Sequence, residues 1–405
     1  MYEYHTLPNG LKIILSHTPS RVVYSGVYIG VGSRDERGAD EGMAHFIEHS
    51  LFKGTTRRHA YHIQNRIDGV GGELNAFTTK EETCVYASSL SSHLDRCLEL
   101  FADILFHSTF PTKEIEKEKD VVLEEINAYC DSPAELIFDQ YEEQAFAGHP
   151  LAHNILGTKR NVKHFTSERL QRIVRENYTP SRMVVAVAGD VRMERLVRLC
   201  EKYFGANEGK PSAVDRSQKP VFQPFESALN RRTHQAHLLI GCEAPDVYHR
   251  DKTAFSLLNN LLGGPAMNSR LNVAVREHYG FCYSIESQYV PFSDTGLFYI
   301  YAGVDLGAVD KALRIILDEL RRLADTALTP NQLRAAQRQM IGQVAINDDY
   351  GMNEMQSIGK AFLCYDHVNT LEEMEADLMA VTAADILRVA QERFDPARFG
   401  TLIYN

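Results

Sequence analysis

The chain has 405 residues, 54 acidic and 43 basic, a formal net charge of −11 and 44% hydrophobic content. That length suits about two to three domains, and so acidic a balance makes nucleic acid a poor partner, because such binding rests on neutralising phosphates. No apolar run approaches the roughly 18 residues of a membrane span, the start lacks a signal pattern, and seven scattered cysteines without a Cys-x-x-Cys pair argue against a disulfide framework or a cysteine zinc site.

A soluble, unexported, cytoplasmic chain without a membrane partner is therefore expected. The charge is uneven. Residues 101–150 hold 12 acidic and 3 basic residues, a net −9, which by itself reads as a solvated helix face.

In chain order, residues 6–16 alternate around Leu7-Pro8-Asn9-Gly10, the pattern of a hairpin, and Arg21–Gly32 reads as a central strand. Gly42–Phe52 is a short helix closed by Lys53-Gly54, and Tyr61–Val70 is a second helix. Glu73–Ser89 holds two strands around Lys80-Glu81-Glu82. Ser92–Phe106 has apolar residues at helical spacing, and Pro111–Ala128 begins a long helix on a proline. Met183–Ala188 is a buried strand and Val191–Phe204 a helix. Gly205–Pro224, with three prolines and two glycines, reads as an interdomain linker.

After it the pattern restarts. Ala236–Glu243 is a strand, Lys252–Gly264 a helix ending in Gly-Gly, and Gly296–Val304 a strand followed by a helix over 309–324; further helices are expected over 330–346 and 382–393. Laying Leu51-Phe52-Lys53-Gly54 over Leu261-Leu262-Gly263-Gly264 gives an offset of 210 and sets His45 against Phe255, Glu48 against Leu258 and His49 against Asn259. The expected fold is α+β: two homologous domains, each a mostly antiparallel sheet packed with helices, related by duplication. Their expected bounds are 1–204 and 225–405, joined by 205–224.

The chemistry concentrates in His45-Phe46-Ile47-Glu48-His49. Histidines four apart share a helix face and can take two corners of a tetrahedral zinc. Glu48 reaches the same side and is placed as a general base; this is the inverted order His-x-x-Glu-His. Phe46, Ile47, Leu51 and Phe52 mark a buried helix, where two histidines and a glutamate are costly unless paired or metal-bound. A catalytic zinc needs a third protein ligand. Glu118 and Glu125 share one face of the acidic helix and Glu124 lies on another, but spacing alone does not choose among the three.

The chain resembles the pitrilysin and mitochondrial-processing-peptidase family of zinc metallopeptidases. The carrying residues are His45–His49 with Phe52-Lys53-Gly54-Thr55, Gly72-Glu73-Leu74-Asn75-Ala76, the run Glu118–Glu125, Gly157-Thr158, Tyr178-Thr179-Pro180 and Gly189-Asp190. The resemblance implies that His45, His49 and Glu125 bind one Zn2+ per chain, that Glu48 is the general base and that Glu118 supports a ligand from behind. It further implies that Arg276 and Tyr283, seven apart, bind substrate, with the Tyr283 hydroxyl on the oxyanion. The strand Asn75-Ala76-Phe77 would be a sheet edge that pairs with an extended peptide.

Relatives enclose peptides between four homologous domains. A two-domain chain therefore implies a homodimer, or a heterodimer with a related subunit. Two other readings are a catalytically silent scaffold subunit and a peptidase dedicated to one precursor; the first is disfavoured by the complete set His45, Glu48, His49, Glu125, Arg276 and Tyr283.

Overall fold

The computed structural model describes residues 2–209, 214–231 and 233–405. The chain forms two compact units, Met1–Asn127 with His153–Arg216 and Ile346–Thr370, and Ala128–Ala152 with Ser217–Ala345 and Leu371–Asn405.

Strands β1 (Tyr2–Thr6) and β2 (Lys12–His17) are the expected hairpin, followed by β3 (Val22–Ile29), α1 (Met43–Ser50), α2 (Ala60–Asp68), β4 (Glu73–Thr78), β5 (Thr83–Leu90), α3 (Leu94–Phe106) and α4 (Thr112–Cys130). Helix α5 (Pro133–Ala145) belongs to the second unit; α6 (Lys159–Lys163), α7 (Ser167–Asn177), β6 (Met183–Gly189) and α8 (Met193–Phe204) return to the first. The second half holds β7 (Phe225–Leu229), β8 (Ala236–Ala244), α9 (Lys252–Gly263), β9 (Cys282–Pro291), β10 (Gly296–Val304), α10 (Val309–Asp325) and α11 (Pro330–Asp348). Helix α12 (Gly351–Tyr365) belongs to the first unit, and α13 (Leu371–Ala380), α14 (Ala383–Arg393) and β11 (Gly400–Tyr404) complete the second.

The first sheet has the order β1-β2-β6-β3-β5-β4, with β2 and β6 parallel and all other neighbours antiparallel. The second has the order β7-β11-β8-β10-β9, again with one parallel pair, β7 and β11. Apart from β1 the two sheets repeat one another in order and sense, as duplication requires.

Each sheet is covered on both faces. In the first, Ile13, Leu15, Val27, Val85, Val185 and Val187 face a core shared with Phe46, Ile47, Phe101 and Ile115. The opposite residues Ile14, Tyr28, Cys84, Val184 and Ala186 meet Met355, Ile358 and Phe362 of α12. Burial on both faces accounts for the unbroken apolar run of β6. Helix α12 comes close because Gly359 has no side chain; a Cβ there would lie 2.4 Å from the Tyr28 ring. In the second unit α5 plays the matching part, with Ile137, Tyr141 and Ala145 against Leu239, Tyr299, Tyr301 and Tyr404.

The expected helices at 42–52, 61–70, 92–106, 111–128 and 191–204 are found as α1, α2, α3, α4 and α8. Each unit takes one helix from the other half of the sequence, α5 or α12, so the compact units are discontinuous where 1–204 and 225–405 are contiguous stretches. The described residues of 205–224 form no helix or strand, while 210–213 of that stretch lie outside the described residues. Arg216 is held by both carboxylate oxygens of Asp35, at 2.9 Å each. Among the described residues no helix is long and apolar enough to cross a membrane.

Candidate metal centre

Helix α1 starts at a glycine that no other residue can replace without strain. Gly42 has φ +90, and a Cβ on it would come within 2.7 Å of Gly157 Cα. The free N–H groups of this helix start are taken by a buried carboxylate: Gly42 N donates to Glu36 Oε2 at 2.7 Å and Ala44 N to Oε1 at 2.5 Å. Met43, Phe46 and Ile47 then sink into the core. This turns His45, Glu48 and His49 toward β4 and α4.

The His45 and His49 rings lie one turn apart, tilted 59° to each other with centroids 4.6 Å apart. Glu125 Oε2 lies 3.6 Å from the Nε2 of both. Ligand atoms at about 2.0–2.1 Å from a tetrahedral zinc are about 3.4 Å apart, so Glu125 Oε2 already stands near the spacing of a zinc ligand from each imidazole, and all three atoms lie within 4.8 Å of one another. Glu125 Oε2 is shielded from solvent and has no hydrogen-bond partner among the described residues. A buried carboxylate oxygen left alone between two imidazole nitrogens fits a cation, and this is the metal-ligating cluster found among the described residues.

Glu118 stands behind the histidines. Its Oε1 is 2.9 Å from His49 Nδ1 and its Oε2 2.6 Å from Lys53 Nζ. With Nδ1 donating its proton to Glu118, His49 presents the Nε2 lone pair toward Glu125 and His45. Glu124 is exposed, so of the three glutamates left open by spacing, Glu125 and Glu118 reach the histidines.

The charges follow from these contacts. Burial, aided by His49, pushes the His45 imidazole down to about 4, leaving it neutral at neutral pH as a metal ligand must be. The hydrogen bond to Glu118 raises His49 against the opposing effect of burial. Burial raises Glu118, but its bonds to His49 and Lys53 outweigh that and hold it below the usual carboxylate range. Glu48 is raised, chiefly by burial, and its Oε2 has no hydrogen-bond partner among the described residues.

Strand β4 is the edge of its sheet, paired on one side with β5 through Asn75↔Tyr86, Ala76↔Val85 and Phe77↔Cys84. Ala76 N is occupied by the neighbouring Asn75 Oδ1 at 2.8 Å, and Phe77 turns to the far face of the sheet against Tyr28 and Tyr86. Arg276 and Tyr283 belong to the second unit. Arg276 sits in a π-helical segment, Asn272–Glu277, with its guanidinium 5.7 Å from the Tyr283 ring; a turn with Gly280 at φ +65 joins them, and Tyr283 is 84% exposed. Sequence reasoning missed Glu36 and Lys53. Lys53 stood in view as a helix-end residue, whereas a lone glutamate at 36 carries no pattern.

Comparison with known proteins agrees with this arrangement. Residues 12–159 match the family described as Insulinase (Peptidase family M16), and residues 164–340 match the Peptidase M16 inactive domain. The chain is 35% identical over 395 residues to an uncharacterised zinc protease of Bacillus subtilis (strain 168), covering 97% of this chain and 96% of that protein. It is 31% identical over 408 residues to the probable mitochondrial-processing peptidase subunit beta of Schizosaccharomyces pombe, covering 96% of this chain and 88% of that one. A solved protease structure from Helicobacter pylori shares the fold with a TM-score of 0.93 at 23% identity, covering 100% of this chain and 99% of that one.

Proposed function

The chain belongs to the M16 peptidase family, as a pitrilysin-type zinc metallopeptidase of the two-domain bacterial form, and on that premise we propose that it is a zinc-dependent endopeptidase whose general base is Glu48. The observation that carries the reading is the meeting of Glu125 Oε2 with both imidazole Nε2 atoms at 3.6 Å. His45, His49 and Glu125 hold one zinc, and Glu118 orients His49. Zinc, when bound, supplies Lewis-acid chemistry, acidifying water and polarising a carbonyl.

Glu48 takes the proton of the attacking water as the new C–O bond forms, and gives it to the leaving amine as the C–N bond breaks. A pKa raised by burial suits a carboxylate that must hold a proton between those steps. The Tyr283 hydroxyl donates to the oxyanion, and Arg276 grips a substrate carbonyl or carboxylate. The outer edge of β4 at Asn75, Ala76 and Phe77 pairs with the backbone of an extended peptide once the Asn75 side chain releases Ala76 N. Residues 1–204 thus carry the metal chemistry and 225–405 the Arg276/Tyr283 pair.

The substrates are peptides or unfolded segments, and the enzyme works in the cytoplasm. The assembly is a homodimer with four domains around a chamber, each chain holding the full residue set. A heterodimer with a related subunit is the other assembly in view, since the fission-yeast relative is named as a subunit. Metal analysis with a peptidase assay on wild type and Glu48→Gln tests the reading. About one zinc per chain in both, with activity lost in the variant alone, is expected. A wild type that binds no zinc, or a variant that cuts as fast, refutes it.

A further inference from the structure

We propose that Lys53 is a positioning residue for the metal centre, acting on His49 through Glu118; this rests on the reading of His45, His49 and Glu125 as zinc ligands. Lys53 lies in the turn after α1, where its N–H donates to Ser50 O at 3.1 Å. The next residue seats that turn on the start of α4. Thr109 N donates to Gly54 O at 3.0 Å, and a Cβ on Gly54 would stand 3.0 Å from Pro111 Cγ. The lysine is thereby delivered to Glu118, with Nζ 2.6 Å from Oε2.

Glu118 is 6% exposed and its other oxygen is 2.9 Å from His49 Nδ1. A carboxylate so buried stays aimed because partners occupy both oxygens, His49 on one and Lys53 on the other. On the other ligand, His45 Nδ1 is shielded and has no hydrogen-bond partner among the described residues. Among the described residues, hydrogen bonding from behind thus reaches His49 and not His45, through the contacts Lys53–Glu118–His49. Partners of this kind typically change metal affinity by about 10- to 100-fold.

The test is zinc affinity of the metal-free protein by competition with a chromophoric chelator, together with the visible spectrum of the Co2+ form. Lys53→Met is expected to weaken zinc binding about 10- to 100-fold and shift the Co2+ bands, and Lys53→Arg to recover most of the affinity. In a Glu118→Gln background, Lys53→Met should change affinity by no more than about twofold, because the route to His49 is already cut. Unchanged affinity in Lys53→Met, or the same loss in both backgrounds, overturns the proposal. Wild type that binds no zinc overturns the metal reading itself, and the wild-type titration alone reports that.

Discussion

Replacing Gly157 with alanine tests whether the backbone start of α1 sets the metal geometry. Gly157 has φ +70, where an L-residue costs about 1–2 kcal/mol. Its new Cβ would lie 2.4 Å from Glu41 O and 2.5 Å from Gly42 Cα, so one side has to retreat by about 1 Å. Overpacking of this kind adds about 1–3 kcal/mol, for a total loss of roughly 2–5 kcal/mol in urea unfolding. Gly42 caps the start of the helix that carries His45, Glu48 and His49, so a retreat on that side would carry the helix start with it. A 1 Å misplacement of catalytic groups costs on the order of 10²-fold, so kcat/KM on an internally quenched peptide should fall by about that factor, with zinc content measured alongside. Gly38→Ala is the control: φ is +56 there but nothing lies within 4 Å of the added Cβ, so about 1 kcal/mol of stability should go and activity should hold. If Gly157→Ala is as stable and as active as Gly38→Ala, the two glycines do not position the helix.

Two further outcomes are expected. His45 titrates near 4 in the fold against an ordinary 6.5, so the unfolded chain binds the proton first as pH falls. His45 therefore contributes stability above pH 6.5 that is lost between 6.5 and 4, about 2 kcal/mol of it between pH 7 and 5. Urea unfolding of metal-free wild type and His45→Gln at those two pH values should show a shallower loss in the variant, and equal losses would refute the assignment. The raised pKa of His49 acts in the opposite sense in both proteins. If Arg276 and Tyr283 serve the partner's zinc, mixing Glu48→Gln and Arg276→Ala chains should restore activity, since one of the two sites in a mixed dimer is then intact. Demonstrated subunit exchange without recovery rules the trans arrangement out.

The repeat was legible because a 210-residue offset is a property of the sequence itself, and the strand orders of the two sheets follow it. The metal cluster was legible in part. The i, i+4 histidines need only helix geometry, but Glu125 reaches them because α4 crosses α1 at one angle, and no spacing rule contains that angle. Glu118 and Glu125 share a face by periodicity, yet one faces Nδ1 of a histidine and the other Nε2. Helix α12 was missed for a local reason. Met355, Ile358 and Phe362 have helical spacing, but Gly351 and Gly359 lower the helix propensity of the segment; Gly359 is present because the Tyr28 ring leaves no room for a side chain. Motif glycines gained their reasons from the structure, Gly157 foremost.

The two copies of the helix show what the candidate metal site costs the fold. Helix α1 packs against β4 and α9 against β9, each the edge strand of its sheet. Where α1 has His45 and Glu48, α9 has Phe255 and Leu258, both fully buried, and Phe255 packs its ring against Tyr289, Phe298 and Phe394 at 4.9, 5.5 and 6.3 Å. Burying such side chains is worth about 1.5–3 kcal/mol each. The first copy gives up that gain and leaves His45 Nδ1, Glu48 Oε2 and Glu125 Oε2 shielded without hydrogen-bond partners among the described residues, at about 1–3 kcal/mol for each unsatisfied group. A site so unfavourable without its ion is what metal binding can offset. On α9 of the second copy the one such atom among the described residues is Asn259 Oδ1, at the position of His49, while Phe255 and Leu258 fill the other two positions with apolar contact.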